Sequence, residues 1–330
     1  MERLGTEPAD LARAAELLRA GRLVAFPTET VYGLGADATN PDAVAAIFAA
    51  KGRPADHPVI VHLGSAQDLE QWADPVPEAA RRLADAFWPG PLTLVLRRAA
   101  GVSDLVTGGQ DSVGVRVPNH PVARALLRAF GGALAAPSAN RFGHISPTTA
   151  QHVIDEFGDE VAAVIDGGAC PVGVESTIVD LSGNSSSNQP RLLRPGMIRP
   201  EAIVQALGAP LAHPDDEEGP RASGRLASHY APNAPLELVD AADLERRLDR
   251  CARDGERVVV LARSPQPAGL HKVAWGPMPG QPVQYARRLY AELRAADRLA
   301  PDRILVESPP DASAWDAIRD RLQRAATAAG

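Results

Sequence analysis

An α/β fold in two parts is predicted by three features of this chain. Up to residue 208, short runs that are apolar on both faces alternate with helical patterns. Two-sided apolar runs of this length belong to strands buried inside a sheet. Residues 209–235 then turn rich in Pro, Gly and acids and lose all periodicity, as a linker does. From Leu236 the order reads β-α-β-β-α-β-α, which specifies a small, three-layer, Rossmann-like parallel domain. The expected divisions are therefore 1–208, a linker at 209–235, and 236–330.

Composition removes several functional classes. With 45% hydrophobic and 23% charged residues, the 330-residue chain is not a disordered one. No apolar run is long enough to span a bilayer, and the acidic opening MERLGTEPAD lacks a signal-peptide core. A soluble, cytoplasmic protein is expected. Cys170 and Cys251 are too far apart to form a disulfide framework or a cysteine metal site. A net charge of −7 argues against coating nucleic acid, while leaving room for a local basic cleft. Of the 34 basic residues only Lys51 and Lys272 are lysine. Where charge alone suffices the chain uses Arg, so Lys51 marks either chance or a need for a compact ammonium.

Residues 8–20 form an amphipathic helix ended by Gly21. LVAF is a buried strand, and PTETVYGLG after it places Thr28, Glu29, Thr30 and Tyr32 before two glycines. Those glycines either allow a ligand close to the backbone or simply make a turn. Asn40 or Thr39 caps the helix Pro41–Ala50, which Gly52 and Pro54 stop. Lys51 complements the helix dipole, but Arg53 lies between two breakers, beyond that role. With His57 they suggest a polyphosphate seat. PVIVHL is the next strand, in which His62 is either a satisfied core residue or a ligand group. A zinc site does not fit the spacing of His57 and His62.

Glu78–Phe87 is a helix and PLTLVLR a strand. In SVGVRVP, Val113, Val115 and Val117 face one side; Ser112, Gly114 and Arg116 face the other. A hydroxyl, a bare backbone and a guanidinium make a floor for a carboxylate or phosphate, where an exposed edge would show more polar side chains. His120–Phe130 is a helix, and GALAAPSAN is a strand entering a loop, with Ser138 and Asn140 on one face of it. Ser138 lacks a nucleophile's surroundings and reads as a donor. Ser146 follows a tight turn. AAVIDGG, STIVDLS and PRLLRPG are strands, the last two joined through Gly183–Gln189, with Glu175, Ser176 and Arg194 at the hairpin ends. The second domain has strands LELV, RVVVLA, KVAW and RILVE. Its helices are Ala241–Arg253, Pro282–Ala296 and Ala312–Ala326.

LVAFPTETVYGLG, the K-x-R of Lys51–Arg53, FWPGPLTLVL, SVGVRVP, APSAN and GVESTIVD together resemble the YrdC-like threonylcarbamoyl-AMP synthases. The likeness covers about residues 10–200, and ASHYAPNAP with the appended domain resembles the long, two-domain branch. The resemblance implies a twisted mixed sheet with an open, positively lined cavity. It implies condensation of L-threonine, bicarbonate or CO2, and ATP into threonylcarbamoyl-adenylate and pyrophosphate. Mg2+ would come with ATP, with no metal ligands from the protein. A separate threonylcarbamoyl transferase complex would use the product on tRNA.

By the same resemblance Lys51 and Arg53 are catalytic. Arg53, His57, Ser112, Ser138, Asn140, Ser146 and Arg194 are ATP contacts, with His229, Tyr230 and Asn233 from a lid at 221–235. Thr30, Tyr32, His62, Arg116 and Ser176 are threonine contacts, with Arg116 as the carboxylate clamp. Ser112 stands where relatives often carry threonine, and the Gly183–Gln189 loop is longer than usual. No general base is evident, so positioning and electrostatics are expected to dominate. Two rivals are a non-catalytic double-stranded RNA or tRNA binder using the basic cavity, and a carbamoyl-transfer or hydrolytic relative. The first is weakened by the acidic balance. The second is weakened because no acylphosphatase-like or zinc-finger segment precedes residue 10.

Overall fold

The computed structural model describes residues 1–183, 189–212, 219–224, 229–268 and 273–327. Two compact units emerge, Met1–Phe142 with Pro147–Arg225, and Gly143–Ser146 with Leu226–Gly330. The first unit contains β1 (Glu2–Leu4), α1 (Pro8–Arg19), β2 (Val24–Phe26), β3 (Gly33–Asp37), α2 (Pro41–Lys51), β4 (Ile60–His62), α3 (Glu78–Phe87) and β5 (Leu92–Arg97). It continues with α4 (Asp104–Thr107), β6 (Ser112–Arg116), α5 (Pro121–Phe130), β7 (Leu134–Ala135), α6 (Ala150–Phe157), β8 (Ala163–Ile165), β9 (Thr177–Asp180), β10 (Arg191–Arg194) and α7 (Pro200–Leu207).

These strands form one mixed sheet in the order β1-β8-β2-β3-β7-β4-β6-β5-β9-β10. Alternation along each strand divides its side chains between two cores. Val24, Phe26, Leu134 and Ile165 pack with Leu11 and Leu18 of α1 and Leu126 of α5. Ala25, Ala135, Val164, Val61 and Val115 belong to the other core, with Ile47 of α2, Leu83 of α3 and Val153 of α6. Because both faces are covered, the strands read as apolar runs. The α2 helix starts as its residues dictate: Asn40 Oδ1 accepts from the Asp42 and Ala43 amides, and Gly52 ends it in the left-handed region at φ 61°.

Several elements differ from the sequence expectations. The glycines of VYGLG lie in strand β3, paired antiparallel with β2. A Cβ on Gly35 would come within 2.8 Å of the Phe26 ring and 3.1 Å of the Val24 carbonyl. Close packing, not access for a ligand, requires glycine there. The strand within GALAAPSAN is only Leu134–Ala135, and the Asn140 amide already bonds back to the Ser138 carbonyl at 3.0 Å. Ser138 and Asn140 therefore sit on a turn and not on one face of an extended segment. β1, α6 and α7 have no strong local pattern; β1 exists through its parallel pairing with β8. β6 lies between β4 and β5, which excludes the exposed-edge reading.

The second unit contains β11 (Leu236–Val239), α8 (Leu244–Asp254), β12 (Val258–Ala262), β13 (Ala274–Pro277), α9 (Pro282–Arg298), β14 (Arg303–Glu307) and α10 (Asp316–Thr327). Its sheet is parallel throughout in the order β11-β14-β12-β13. Leu244, Leu248 and Cys251 of α8 cover Val260 and Leu305 on one face. The buried Glu307 carboxylate accepts the Arg263 and Ser264 amides at 2.8 and 2.7 Å, tying β14 to the turn after β12. Gly143–Ser146 joins this unit through the Ala231 amide on the Gly143 carbonyl and Arg294 on the Ile145 carbonyl. No helix among the described residues is long and apolar enough to cross a membrane.

Gly35→Ala is expected to lower stability by about 1–3 kcal/mol, because the added methyl overpacks Phe26. Urea denaturation followed by circular dichroism measures it.

Candidate active site

The residues expected at the amino-acid side converge where β4 and β6 end. The register of these parallel strands sets His62 beside Arg116. Both side chains are buried, and Arg116 donates through Nε to the Gly90 carbonyl at 3.2 Å and through Nη1 to Thr30 Oγ1 at 3.0 Å. Thr30 Oγ1 lies 2.8 Å from Thr28 Oγ1, so the hydroxyl that faces the guanidinium is fixed from behind. Burial first, and then the Arg116 charge, push the His62 imidazole down to about 3. His62 is thus neutral and its ring meets the Phe26 ring edge-on at 6.1 Å.

Two other expected threonine contacts are placed differently. The Tyr32 hydroxyl donates to the Gly168 carbonyl at 2.8 Å and accepts the Gly167 amide at 3.3 Å. These bonds hold the turn after β8, and burial pushes the phenol above its ordinary range. Ser176 Oγ is 2.8 Å from Thr93 Oγ1 and accepts from Arg194 Nη2 at 3.1 Å. Ser176 is therefore tied to Arg194 and Thr93 rather than to the Arg116 cluster.

The expected phosphate side is a set of buried cations tied to backbone carbonyls. Lys51, 2% exposed, reaches from the end of α2 to donate to the Ser138 carbonyl at 2.6 Å and to the Asn140 carbonyl. Burial, and then the neighbouring Arg53, push this ammonium well below its ordinary range, with Glu156 acting in the opposite sense. Arg53 Nη2 donates to the Pro58 carbonyl at 2.8 Å. Arg194 Nε and Nη2 donate to the Ser176 carbonyl at 3.1 and 3.0 Å. His57 is half-buried against Phe142, ring centroids 5.4 Å apart, and burial and then Arg53 lower its pKa. Ser112 is buried on β6, on the same strand face as Gly114 and Arg116.

Residues 221–223 lie on this set. Ser223 Oγ accepts from Arg53 Nη2 at 3.3 Å and donates to the Pro58 carbonyl at 3.0 Å, while its own carbonyl accepts from Arg194 Nη1 at 2.8 Å. Arg221 anchors the strap through Nη2 to the Gly108 carbonyl at 2.7 Å, and Gln110 bonds both its amide and its carbonyl. Ala222 packs with Ile60, Val95, Ile178 and Leu193. Of the expected lid, residues 213–218 and 225–228 lie outside the described residues, as do 184–188 of the hairpin loop.

Ser146, His229, Tyr230 and Asn233 are in the second unit. Ser146 is fully buried. The His229 and Tyr230 rings meet at 4.1 Å, Tyr230 stacks on Tyr290 at 5.8 Å, and Arg321 lies 5.3 Å over the Tyr230 ring. Asn233 Nδ2 is engaged by Asp297 at 2.8 Å.

Sequence reasoning assigned no role to Glu29, Thr28, Thr93 or Ser223, all of which touch the expected site residues. Glu29 carried a signal, a lone carboxylate between two threonines after a buried strand. Ser223 carried none, since small residues fill its neighbourhood.

His62 makes stability pH-dependent with a definite sign. Between its ordinary 6.5 and about 3, the unfolded chain binds a proton that the folded chain refuses. Stability therefore falls as pH drops through this window, at about 1.4 kcal/mol per unit. Urea midpoints at pH 7 and pH 5 should differ less in His62→Gln than in the wild type.

Comparison with known proteins places this geometry. A family model described as telomere recombination (Sua5, YciO and YrdC) matches residues 16–196, and one described as the threonylcarbamoyl-AMP synthase C-terminal domain matches residues 198–327. The threonylcarbamoyl-AMP synthase of Bacillus subtilis is 41% identical, covering 98% of this chain and 95% of its own. That of Pyrococcus abyssi is 40% identical, covering 94% and 92%. The crystal structure of P. abyssi Sua5 complexed with L-threonine matches with a TM-score of 0.90 at 38% identity, over 99% of this chain and 98% of that one. A buried clamp beside a row of buried cations, on a chain matched from end to end by full-length relatives, makes this protein a member of the threonylcarbamoyl-AMP synthase family in its two-domain form.

Proposed function

We propose that this chain condenses L-threonine, bicarbonate (or CO2) and ATP into threonylcarbamoyl-AMP, releasing pyrophosphate. The observation that carries this reading is the presence of two unlike groups on one sheet: a clamp of Arg116 with Thr30 and His62, and the cations Arg194 and Arg53, which meet at Ser223. In this reading Arg116 binds the threonine carboxylate. The threonine amine is carboxylated, and the carbamate oxygen attacks the α-phosphate in line as pyrophosphate leaves. Lys51 and Arg53 neutralise the charge that develops on the phosphates, with Arg194, Ser112, Ser138 and Asn140 as further donors.

These side chains are donors, suited to phosphate oxygens and not to a metal. Mg2+ would accordingly be held by the triphosphate, screening its charge. The neutral His62 neighbours the clamp without adding a second charge to it.

The segment 209–235 acts as linker and lid. Ser223 engages Arg53 and Arg194, two groups that the triphosphate needs, so residues 221–223 must leave them when ATP enters. Reclosure would keep water from the mixed anhydride. The product would pass in the cytoplasm to a separate threonylcarbamoyl transferase complex acting on tRNA.

Pyrophosphate release should require threonine, bicarbonate and ATP together, each omitted in turn. Turnover independent of threonine would exclude the proposal. Arg53→Ala and Lys51→Ala should each lower kcat by about 100-fold or more, with the far-ultraviolet dichroism retained. Arg221→Ala, which frees the strap, should tighten ATP binding about three- to tenfold by calorimetry. An unchanged ATP affinity would mean that the strap does not compete with nucleotide.

A further inference from the structure

The Glu29 side chain is buried, 4% exposed, and one carboxylate oxygen lies 2.5 Å from Arg116 Nη2. The other two guanidinium nitrogens, Nε and Nη1, donate to Gly90 and Thr30 in aligned hydrogen bonds. The contact with Glu29 is different. Neither carboxylate oxygen has an aligned hydrogen-bond partner, and neither has Arg116 Nη2. A carboxylate accepts up to about four hydrogen bonds, and a buried polar atom normally has at least one partner. Charge alone holds this pair, with acceptor capacity left over on one side and a donor on the other.

The surroundings define what fits. His62 beside Arg116 is neutral. The His120 imidazole is also pushed down by burial, although the Glu29 charge pulls it the other way. Burial pushes the Cys170 thiol, which feels both Glu29 and Arg116, well above its ordinary range. The Tyr32 phenol is raised by burial as well. Glu29 and Arg116 form the buried ion pair of this cluster, while Asp166, whose charge acts on Tyr32, is itself paired with Arg3. A ligand carrying only a carboxylate would take Arg116 and strand Glu29 as a buried, unpaired anion, which is costly. A zwitterion resolves both, because its carboxylate and its ammonium replace the internal pair without changing the net charge.

We propose that Glu29 is the amino-group receptor of the site, an inference that rests on the threonine-dependent reaction proposed above. Arg116 passes from Glu29 to the carboxylate of the incoming α-amino acid, and the released Glu29 carboxylate accepts from the ammonium. Glu29 also sets up the nucleophile. One ammonium N–H bond breaks with its electron pair staying on nitrogen, and the proton forms an O–H bond with Glu29. The neutral amine is then the species that carboxylation requires.

The test is calorimetry on the full chain with L-threonine and with 3-hydroxybutanoic acid, which keeps the carboxylate and hydroxyl and lacks the amine. The wild type should bind the analogue about 10- to 100-fold more weakly than threonine. Glu29→Gln should lose a similar factor for threonine, yet bind the analogue as well as or better than the wild type, since Arg116 is released. If Glu29 were only a counter-ion, the substitution would weaken both ligands alike, and that result would overturn the proposal. Glu29→Asp, which keeps the charge, should recover part of the threonine affinity.

A pH profile supplies a second reading. At saturating threonine, Glu29→Gln turnover should rise about tenfold per pH unit towards the amine's own pKa, because the variant has no internal acceptor. A profile matching the wild type would overturn the proton-transfer step. ATP affinity monitors folding, and if Glu29→Gln does not fold, the wild-type comparison of the two ligands still decides. Wild-type pyrophosphate release without dependence on threonine would instead defeat the underlying functional reading.

Discussion

Burying the cationic side chains of the site, Lys51, Arg53, Arg116 and Arg194, is the constraint around which the first unit is arranged. Each would cost several kcal/mol in an apolar interior unless its hydrogen-bonding groups were matched. The fold meets this requirement with backbone carbonyls at strand ends and turns: Ser138 and Asn140 for Lys51, Pro58 for Arg53, Gly90 for Arg116, Ser176 for Arg194. Carbonyls are neutral, so they orient the cations without discharging them. Net positive charge survives in a low-dielectric setting, where it acts most strongly on a polyanion. Arg116 has in addition the Glu29 carboxylate 2.5 Å from its Nη2, and the charge of Glu156 acts on Lys51.

This difference divides the site. The proposed phosphate seat is where the partners shown are carbonyls, and the proposed amino-acid seat is where the partner is a carboxylate. The strand register makes the division exact to a residue. β6 carries Ser112, Gly114 and Arg116 on one face by simple alternation, and β4 sets His62 against Arg116. A short lateral chain, Thr93–Ser176–Arg194, runs from β5 to β10. A strap ending in Ser223 ties Arg53 to Arg194, coupling the linker to the same cations.

Much of this was legible beforehand because it is local. Alternation in SVGVRVP specified both the core face and the polar face of β6, and capping and breaker residues specified α2. The second domain's parallel order followed from strands alternating with helices. What misled was also local in origin. The glycines of VYGLG looked like a ligand loop because glycine serves both close approach and close packing, and Phe26 decides between them only once β2 and β3 pair. Tyr32, carried by resemblance to the threonine side, spends its hydroxyl on Gly167 and Gly168, partners far along the chain that no local pattern names.

The sequence by itself determined the two-part α/β class, the family, and the residue types of the site, since motif identity and periodicity reside in neighbouring positions. Tertiary structure decided the partners. Whether Lys51 meets solvent or loop carbonyls, and whether Arg116 is bare or paired with Glu29, depends on segments dozens of residues apart meeting across a sheet. It also decided that Gly143–Ser146 would cluster with the second unit, away from its neighbours in sequence. Pairing across such distances is set by register and by the balance of burial against desolvation. Neither quantity is carried by any single stretch of the chain.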